Sequence, residues 1–377
     1  MRVEKFVSAI ESLGVSFYTG VPDSLLAPLN AMRTGVVAAN EGASVGLAIG
    51  HYLATGKPAC VYMQNSGIGN ALNPICSLLH SDVYAIPVVF VVGWRGQPKT
   101  PDEPQHTFQG KCTKELLELM GIPVAIIRKN TENMADIAEN FRLYLAQGRS
   151  VAFLVEKDAL EGDKALAFTR PWKLSREDAL GVILENSRED DVFVSTTGKL
   201  SRELFELRAA KTNNAGQILS KEASAYPTNP CRDFLTVGGM GHSLMIAAGI
   251  ARERKKGRVF CLDGDGAALM HFGGLAVVNT LGLKNLVHVV INNGSHESVG
   301  GLPVCGGGLE FAPAARALGY KNVHSAKNAQ ELRRAIQNGG DFIEVFTNLF
   351  FRSDLGRPTT TPKENKKAFM AFLGGSA

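Results

Sequence analysis

The sequence lacks three features that would assign it to common classes of protein. No apolar run reaches the length of a transmembrane helix. The first 14 residues form an amphipathic helical pattern without the apolar core of a signal peptide. No run of lysine and arginine is long enough to indicate a nucleic-acid surface, and the net charge is only +4. We therefore expect neither a membrane nor a nucleic acid among the partners.

Cysteine is also scarce. The six cysteines are scattered along the chain without a Cys-x-x-Cys spacing. Cys60, Cys76 and Cys261 lie in apolar runs, which predicts that they are small core residues. Scattered, reduced thiols are typical of a cytoplasmic protein, which is the compartment we expect.

Apolar residues and glycines, by contrast, are abundant. The 377 residues include 40 glycines and are 45% hydrophobic, which favours an α/β protein of two or three domains with many tight turns. Short apolar strands alternate with helical segments, which predicts parallel sheets covered on both faces. The predicted strands are 16–21, 36–39, 59–63, 88–92, 124–128, 151–156, 192–195, 258–262, 286–291 and 342–346.

The alternation is interrupted once, in a mixed polar stretch near the middle of the chain. We expect one domain over 1–165, a linker over 166–174 and a second domain over 175–377, whose first helix begins at the N-cap Ser175. Residues 209–230 are rich in Asn, Ser, Thr and Pro and are predicted to be a surface loop. The basic tail after Pro362 is predicted to be partly frayed.

Polar residues follow two strands of the second half. Gly264-Asp265-Gly266 ends one strand, Asn292-Asn293 ends the next, and the 25 residues between them fit one helix and one strand. In such a βαβ unit both clusters lie at the carboxyl edge of the sheet, where ligands bind. The Asp265 carboxylate and the Asn293 amide oxygen are hard ligands suited to Mg²⁺. The alternative is an ordinary turn, which is common for an isolated Gly-Asp-Gly.

Asn40-Glu41-Gly42 follows a strand of the first half and opens an apolar helix. Glu41 could simply stabilise the amino terminus of that helix, an effect of at most about 1 kcal/mol. A carboxylate at the carboxyl end of a strand could instead serve a catalytic site.

Taken together, these motifs resemble those of the thiamine diphosphate-dependent 2-oxo acid decarboxylases. Within that family the likeness is to the phosphonopyruvate type, with the sulfopyruvate type as a close relative, and it extends over nearly the whole chain. The segments that carry it are 18–24, 40–42, 62–70, 93–96, 102–106, 196–199, 238–242, 264–266, 292–301 and 355–360.

The resemblance implies a fold and two cofactors. It implies a pyrimidine-binding domain followed by a diphosphate-binding domain, each a parallel sheet flanked by helices, with no middle domain. Thiamine diphosphate would be held through Mg²⁺, with Asp265, the Asn293 side chain and the Ser295 carbonyl as the protein ligands of the metal. Gly264 and Gly266 would let the backbone approach the diphosphate closely. Glu41 would hydrogen-bond N1′ of the aminopyrimidine ring.

Further residues in the matching segments have two interpretations each. Gly241 and His242 could present a helix amino terminus to the diphosphate, or His242 could cap that helix. Met240 could support the cofactor or pack in the core. The side chains of Gln64, Asn65 and Asn70 could line the pyrimidine pocket or satisfy turn backbone.

The resemblance and the polar composition also indicate substrate-contacting groups. His106 lies in the polar stretch 101–109, which is predicted to be a loop, and it could transfer protons near neutral pH. Asp23 and Ser24 could reach the substrate or cap the next helix. The candidate groups for binding the substrate anion are Arg95, Gln105, Arg352 and Arg357. For the three arginines, the alternative is a surface ion pair.

The expected activity is the decarboxylation of 3-phosphonopyruvate to phosphonoacetaldehyde and CO₂, within phosphonate biosynthesis. Sulfopyruvate is the alternative substrate, and a non-catalytic cofactor-binding subunit or a thiamine-independent phosphate-binding protein are alternatives of other classes. The resemblance further implies a homodimer or larger assembly in which the active site is shared between two chains.

Overall fold

The computed structural model describes residues 1–33, 35–163, 169–211, 232–299, 301–305 and 308–374, with only the backbone of 209–211 and 298. The chain divides into two compact units. Unit 1 consists of Met1–Phe168 with His296–Gly307, and unit 2 consists of Thr169–Ser295 with Gly308–Ala377. Most of the predicted surface loop at 209–230 lies outside the described residues.

Unit 1 alternates strands and helices. Its strands are β1 (Tyr18–Gly20), β2 (Val36–Val37), β3 (Cys60–Gln64), β4 (Val89–Gly93), β5 (Val124–Ile127) and β6 (Val151–Val155). Its helices are α1 (Val3–Glu11), α2 (Ala27–Met32), α3 (Glu41–Thr55), α4 (Ile68–Pro74), α5 (Pro104–Leu119) and α6 (Met134–Ala146), with short helical turns at Ser24–Leu26, Asn65–Gly67 and Ile75–Leu79.

The described strands of unit 1 form one parallel sheet in the order β2-β1-β3-β4-β6-β5. Alternate residues of each strand point to opposite faces, so Cys60 and Tyr62 join one apolar cluster with α1, α2 and α6. Val61 and Met63 join a second cluster with α3, α4 and α5. Because both faces are covered, the strands are continuous apolar runs rather than alternating ones.

Unit 2 has the same style of construction. Its strands are β7 (Val192–Ser195), β8 (Asp233–Leu235), β9 (Val259–Gly264), β10 (Leu286–Asn292), β13 (Val323–Ala326) and β14 (Phe342–Phe346). Its helices are α7 (Arg176–Glu185), α8 (Lys199–Lys211), α9 (Ser243–Glu253), α10 (Asp265–Met270), α11 (Gly274–Leu281), α12 (Phe311–Ala317), α13 (Ala329–Gln337) and α14 (Pro362–Leu373). The short strands β11 (Ser295–His296) and β12 (Leu302–Pro303) pair with each other and lie, except for Ser295, in the segment His296–Gly307 of unit 1.

The two large sheets have the same topology. The second sheet, built from described strands, is parallel and runs β8-β7-β9-β10-β14-β13, which repeats the first order strand for strand. Each sheet has one point from which the chain connections run in opposite directions. It lies between β1 and β3 in the first sheet and between β7 and β9 in the second. Ligands of open α/β sheets bind outside the carboxyl ends of the strands at such a point. The prediction of two α/β domains with parallel sheets is therefore confirmed.

Most predicted elements are found, and the exceptions have physical causes. The structure confirms the ten predicted strands within about two residues at their ends, together with the N-cap Ser175, whose hydroxyl accepts from Asp178 N at 3.0 Å. β8 and β13 were not predicted from the sequence. β8 is a three-residue edge strand, and β13 is an edge strand whose burial alternates weakly, so neither has a strong pattern of its own.

Two predictions about individual segments are wrong. The tail is not frayed over its described part: α14 begins with a capping box between Thr361 and Glu364 and buries Phe369. Cys76 is exposed rather than a core residue, whereas Cys60 and Cys261 are buried as predicted.

Among the described residues, no helix is both long and apolar enough to span a membrane.

Candidate active site

In unit 1, polar side chains meet where β1 and β3 end. Asp23 follows β1, is fully buried and accepts a hydrogen bond from Gln64 Nε2 at 2.8 Å across the gap between the two strands. It also accepts from Leu25 N at 3.0 Å, so it caps the Ser24–Leu26 turn. Burial raises the pKa of Asp23, while the Gln64 hydrogen bond and the Arg95 charge oppose the rise. Asp23 is thus both a cap and a buried polar group at the switch point.

Glu41 is the first residue of α3, yet it is not a surface carboxylate stabilising a helix. Asn40 caps the helix instead, by accepting from Ala43 N at 2.9 Å. Glu41 is only 4% exposed and accepts from Asn70 Nδ2 at 2.8 Å. Burial raises its pKa, which the Asn70 hydrogen bond only partly offsets. A Cβ at Gly67 would collide with the Glu41 carboxylate, so the glycine provides the space that this side chain fills.

Asn65, which follows β3, forms hydrogen bonds to the segment after β4. Its Nδ2 donates to Arg95 O at 2.8 Å and to Thr113 Oγ1 at 2.9 Å, and its Oδ1 accepts from Arg95 N at 3.2 Å. The amide therefore satisfies backbone, which is one of the two interpretations given above. Its role toward a cofactor stays a prediction.

The Arg95 guanidinium donates to Asp102 through Nε and Nη2, so the two side chains form a bidentate pair. Nε donates to Oδ2 at 2.8 Å and Nη2 donates to Oδ1, while Nη1 donates to Ser24 Oγ at 3.2 Å. Asp102 also accepts from Gly96 N and Glu103 N, each at 2.8 Å. Burial would raise the pKa of Asp102, but these donors hold it below its usual range. A substrate anion would therefore compete with Asp102 for Arg95.

His106 is on the first turn of α5, so the loop prediction for 101–109 is wrong from residue 104 onward and is confirmed only for 101–103. Pro104 begins the helix with a preset φ, and the buried stripe of α5 (His106, Gly110, Thr113, Leu117) is too polar to show an apolar period. His106 is 7% exposed, and its Nδ1 has no hydrogen-bond partner among the described residues. The same is true of Gln105 Oε1, while Gln105 Nε2 lies 3.5 Å from His106 Nε2. Burial and the Arg95 charge lower the pKa of His106, which keeps the imidazole neutral near pH 7.

In unit 2, Asp265 begins α10 directly after β9, and Asn293 follows the neighbouring strand β10. Asp265 Oδ1 accepts from Gly266 N at 2.7 Å and Oδ2 accepts from Gly294 N at 2.5 Å. Asn293 Oδ1 accepts from Ser295 N at 2.9 Å. Burial raises the pKa of Asp265 to about 7, even though these N–H groups and the charge of Arg170 oppose the rise. The three predicted metal-binding positions are thus adjacent at one edge of the sheet.

This donor set fits a hard divalent cation. A buried carboxylate whose pKa is raised lacks sufficient compensating charge, and a cation beside it would supply that charge. A second buried side-chain oxygen, that of Asn293, is close by. Arg170 was not among the predicted site residues. Its Nε donates to the Asn293 carbonyl at 3.0 Å, and its guanidinium packs against Gly294. A lone arginine in a linker gives no sequence signal for such a contact.

The turn before α9 supplies the remaining cofactor candidates. His242 is the N-cap residue of α9, but its side chain makes no capping hydrogen bond, which disfavours the cap interpretation. Met240 is half-buried rather than sealed in the core. The space in front of Gly264 is open to 4 Å, so its backbone is accessible to a ligand. Gly241 has a φ of +90°, which favours glycine.

The two remaining arginine candidates lie near the carboxyl end of unit 2. Arg352 donates to Glu177 at 2.9 and 3.0 Å, and it also pairs with Glu206 and with Asp354. Arg357 is exposed. Arg352 thus forms the ion pairs that were its alternative interpretation, and the role of both arginines toward a substrate stays a prediction.

Comparison with known proteins agrees with this arrangement. The family model for the N-terminal TPP binding domain of thiamine pyrophosphate enzymes matches residues 3–117, and the model for the C-terminal TPP binding domain matches residues 214–343. Phosphonopyruvate decarboxylase from Streptomyces viridochromogenes is 30% identical over 97% of this chain and 94% of that protein. The protein of the same name from Streptomyces hygroscopicus is 30% identical over 97% of this chain and 92% of its own length. A sulfopyruvate decarboxylase from Methanosarcina acetivorans is 24% identical over 98% and 97% of the two chains. The chain therefore belongs to the thiamine pyrophosphate enzyme family, in the group that includes the phosphonopyruvate decarboxylases.

Proposed function

We propose that this enzyme uses thiamine diphosphate and Mg²⁺ to decarboxylate 3-phosphonopyruvate to phosphonoacetaldehyde and CO₂. The observation that carries the proposal is the buried Glu41 carboxylate with its hydrogen bond from Asn70 in unit 1, together with the buried Asp265 and Asn293 side chains of unit 2. The two Streptomyces relatives, which match almost the whole chain, support the choice of substrate. The reaction would belong to phosphonate biosynthesis. The cytoplasm is the proposed compartment, because the five described cysteines are free thiols.

The roles of the residues follow from their surroundings. Bound thiamine diphosphate supplies the electron sink for the electrons released when CO₂ leaves. Because burial raises the pKa of Glu41, its carboxyl binds a proton more readily than an exposed glutamate does, and it could share that proton with a ring nitrogen of the cofactor. Asp265, Asn293 and the Ser295 carbonyl would hold Mg²⁺. Neutral His106 can accept a proton or donate one to the substrate, and its Nδ1, which has no hydrogen-bond partner within the described part of the chain, is available for that contact.

The preference for phosphonopyruvate rests on charge. A phosphonate carries close to two negative charges near neutral pH, by analogy with a phosphoryl group, and a sulfonate carries one. Hydrogen bonds from the charged Arg95 and from the neutral donors of Gln105 and His106 should all be stronger to the dianion than to the monoanion. Losing one charge-assisted contact costs about 1.5–3 kcal/mol, which corresponds to roughly ten- to hundredfold in rate.

The deciding experiment compares kcat/KM for phosphonopyruvate, sulfopyruvate and pyruvate at one pH and a fixed Mg²⁺ concentration. We expect phosphonopyruvate to be the best substrate and pyruvate the poorest. A sulfopyruvate value equal to or above that for phosphonopyruvate would make sulfopyruvate the substrate and leave the cofactor chemistry standing. Absence of turnover with all three, despite bound thiamine diphosphate, would identify a non-catalytic subunit. Calorimetry that detects no thiamine diphosphate binding with Mg²⁺ would refute the proposal altogether.

We also propose that the active site is shared between two copies of the chain, with Glu41 of one copy serving the Asp265 site of another. Glu41→Gln and Asp265→Ala should each inactivate the enzyme for different reasons. Glu41→Gln should leave cofactor binding largely intact, because it keeps the size of the side chain. Asp265→Ala should weaken the binding of both Mg²⁺ and thiamine diphosphate. Mixing the two inactive variants should restore part of the activity through hybrid sites. No recovery after verified subunit exchange would contradict sharing.

A further inference from the structure

Two histidines stack on each other beside the amino terminus of α9. The ring centroids of His242 and His271 are 4.4 Å apart, with 26° between the ring planes. His242 is the residue before α9, and His271 directly follows α10, the helix that Asp265 begins. The stack therefore joins the turn at 238–242 to the element that carries the proposed metal ligand.

The backbone of that turn lies directly on His271. A Cβ at Gly241 would come within 2.7 Å of His271 Cδ2 and 2.9 Å of Met270 Cβ. Such contacts are too short for any other residue type without a shift. The φ of +90° at Gly241 independently favours glycine. His271 thus supports the turn through its contact with Gly241 as well as through the stacked ring.

The two rings differ in exposure. His242 is exposed and makes no capping hydrogen bond, whereas His271 is half-buried and its Nε2 is buried without a partner among the described residues. Burial, and then the neighbouring His242, lower the pKa of His271, so the inner ring is neutral and can stack without charge repulsion. The inner imidazole consequently restrains the outer one.

The restrained ring lies where an anion would be bound. The first N–H groups of an α-helix have no partner within the helix, and α9 has 11 residues. Ser243, the first residue of α9, is fully buried, and its Oγ has no hydrogen-bond partner among the described residues. A buried hydroxyl without a partner calls for an explanation, and a polar ligand at this helix terminus is one that agrees with the unpaired N–H groups.

We propose that His271 is a positioning residue for the diphosphate of the cofactor. It acts through His242, whose imidazole it holds by stacking at the amino terminus of α9, and it does not itself contact the diphosphate. The inference rests on the proposed function to the extent that thiamine diphosphate is the ligand bound at this helix.

The experiment measures thiamine diphosphate affinity by calorimetry at saturating Mg²⁺, so that turnover is not the readout. His271→Ala removes the stacked ring and should weaken binding about two- to tenfold, the worth of one aromatic pair. His271→Phe keeps an aromatic ring for stacking and should restore affinity to within about twofold of the wild type. The matched control is His51→Ala, which removes an imidazole stacked on Phe17 in unit 1 and should leave affinity unchanged.

A double-mutant cycle with His242→Ala separates positioning from an independent effect. If His271 acts through His242, the double variant should bind no more weakly than His242→Ala alone. Additive losses would overturn the proposal, and so would a His271→Phe variant as weak as His271→Ala. Thermal unfolding of each cofactor-free variant verifies that the domain is folded. Wild-type protein that fails to bind thiamine diphosphate would instead refute the proposed function.

Discussion

Asp265→Asn should stabilise the metal-free protein while weakening its affinity for Mg²⁺. The Asp265 carboxyl is 4% exposed, and burial raises its pKa from 3.8 to about 7. An asparagine amide resembles the protonated carboxyl in size and charge, so the substitution removes the cost of burying a negative charge. In the absence of a cation, the protein therefore stabilises the ionised form of the Asp265 carboxyl poorly.

The size of the effect follows from the pKa. A rise of about three pKa units corresponds to about 4 kcal/mol, because each unit is about 1.36 kcal/mol. Folded wild-type protein binds the proton more tightly than the unfolded chain. The stability that the wild type gains from protonated Asp265 is therefore complete below about pH 4, and it is lost as the pH rises through about pH 7. We expect the two proteins to be similar near pH 4, and the variant to be more stable by up to about 4 kcal/mol near pH 8.

The assay is guanidinium chloride unfolding in EDTA at a series of pH values. Trp172 packs against Phe346 in unit 2, so its fluorescence reports that unit once Trp94 has been replaced by Phe. Mg²⁺ should reverse the order of stability, because only the aspartate offers it a charged ligand. Glu253→Gln, at an exposed carboxylate of unit 2, is the control and should show no such pH dependence. A difference between Asp265→Asn and wild type that stays constant with pH would refute the reasoning.

Three further predictions concern other contacts. Asn70→Leu removes the hydrogen bond to Glu41 and should raise the pKa of Glu41 further, which would lower kcat/KM about ten- to hundredfold and shift the pH–rate profile to higher pH. An unshifted profile would contradict this. Gly67→Ala should lower kcat/KM with little change in thermal stability, because its Cβ would displace the Glu41 carboxylate; normal kcat/KM would show that Glu41 has room to move. Glu203→Gln should destabilise unit 2 by about 3–5 kcal/mol in chemical unfolding, because it removes the negative charge from a buried ion pair in which the Glu203 oxygens lie 2.6 and 2.7 Å from the Arg176 guanidinium. A loss below about 1 kcal/mol would mean that water replaces the pair.

The sequence alone predicted that Asp265 and Asn293, the candidate metal ligands, lie at one edge of the sheet of unit 2. β9 and β10 are consecutive strands of one βαβ unit, and they pair in parallel with Leu286 opposite Val259. Such units place both carboxyl ends at the same edge, so the spacing of Asp265 and Asn293 in the chain already implied their proximity. The contact of Asp265 with Gly294 N is the structural outcome.

Elements without a strong pattern of apolar residues could not be predicted from the sequence. β8 and β13 are short edge strands that owe their conformation to pairing with β7 and β14, and their own residues show little apolar periodicity. The first turn of α5 was misassigned because its buried face carries His106 and Thr113 instead of large apolar residues.

The sequence by itself determined the fold class, the family and the positions of the acidic groups, because these depend on local periodicity and on motifs a few residues long. Only the tertiary structure decided which groups satisfy one another. It paired Arg95 with Asp102, placed Asn70 on Glu41, and stacked His242 on His271. It also decided that Glu41 and Asp265 are buried and hence that their pKa values are raised. Desolvation depends on everything packed around a group, and those neighbours come from distant parts of the chain.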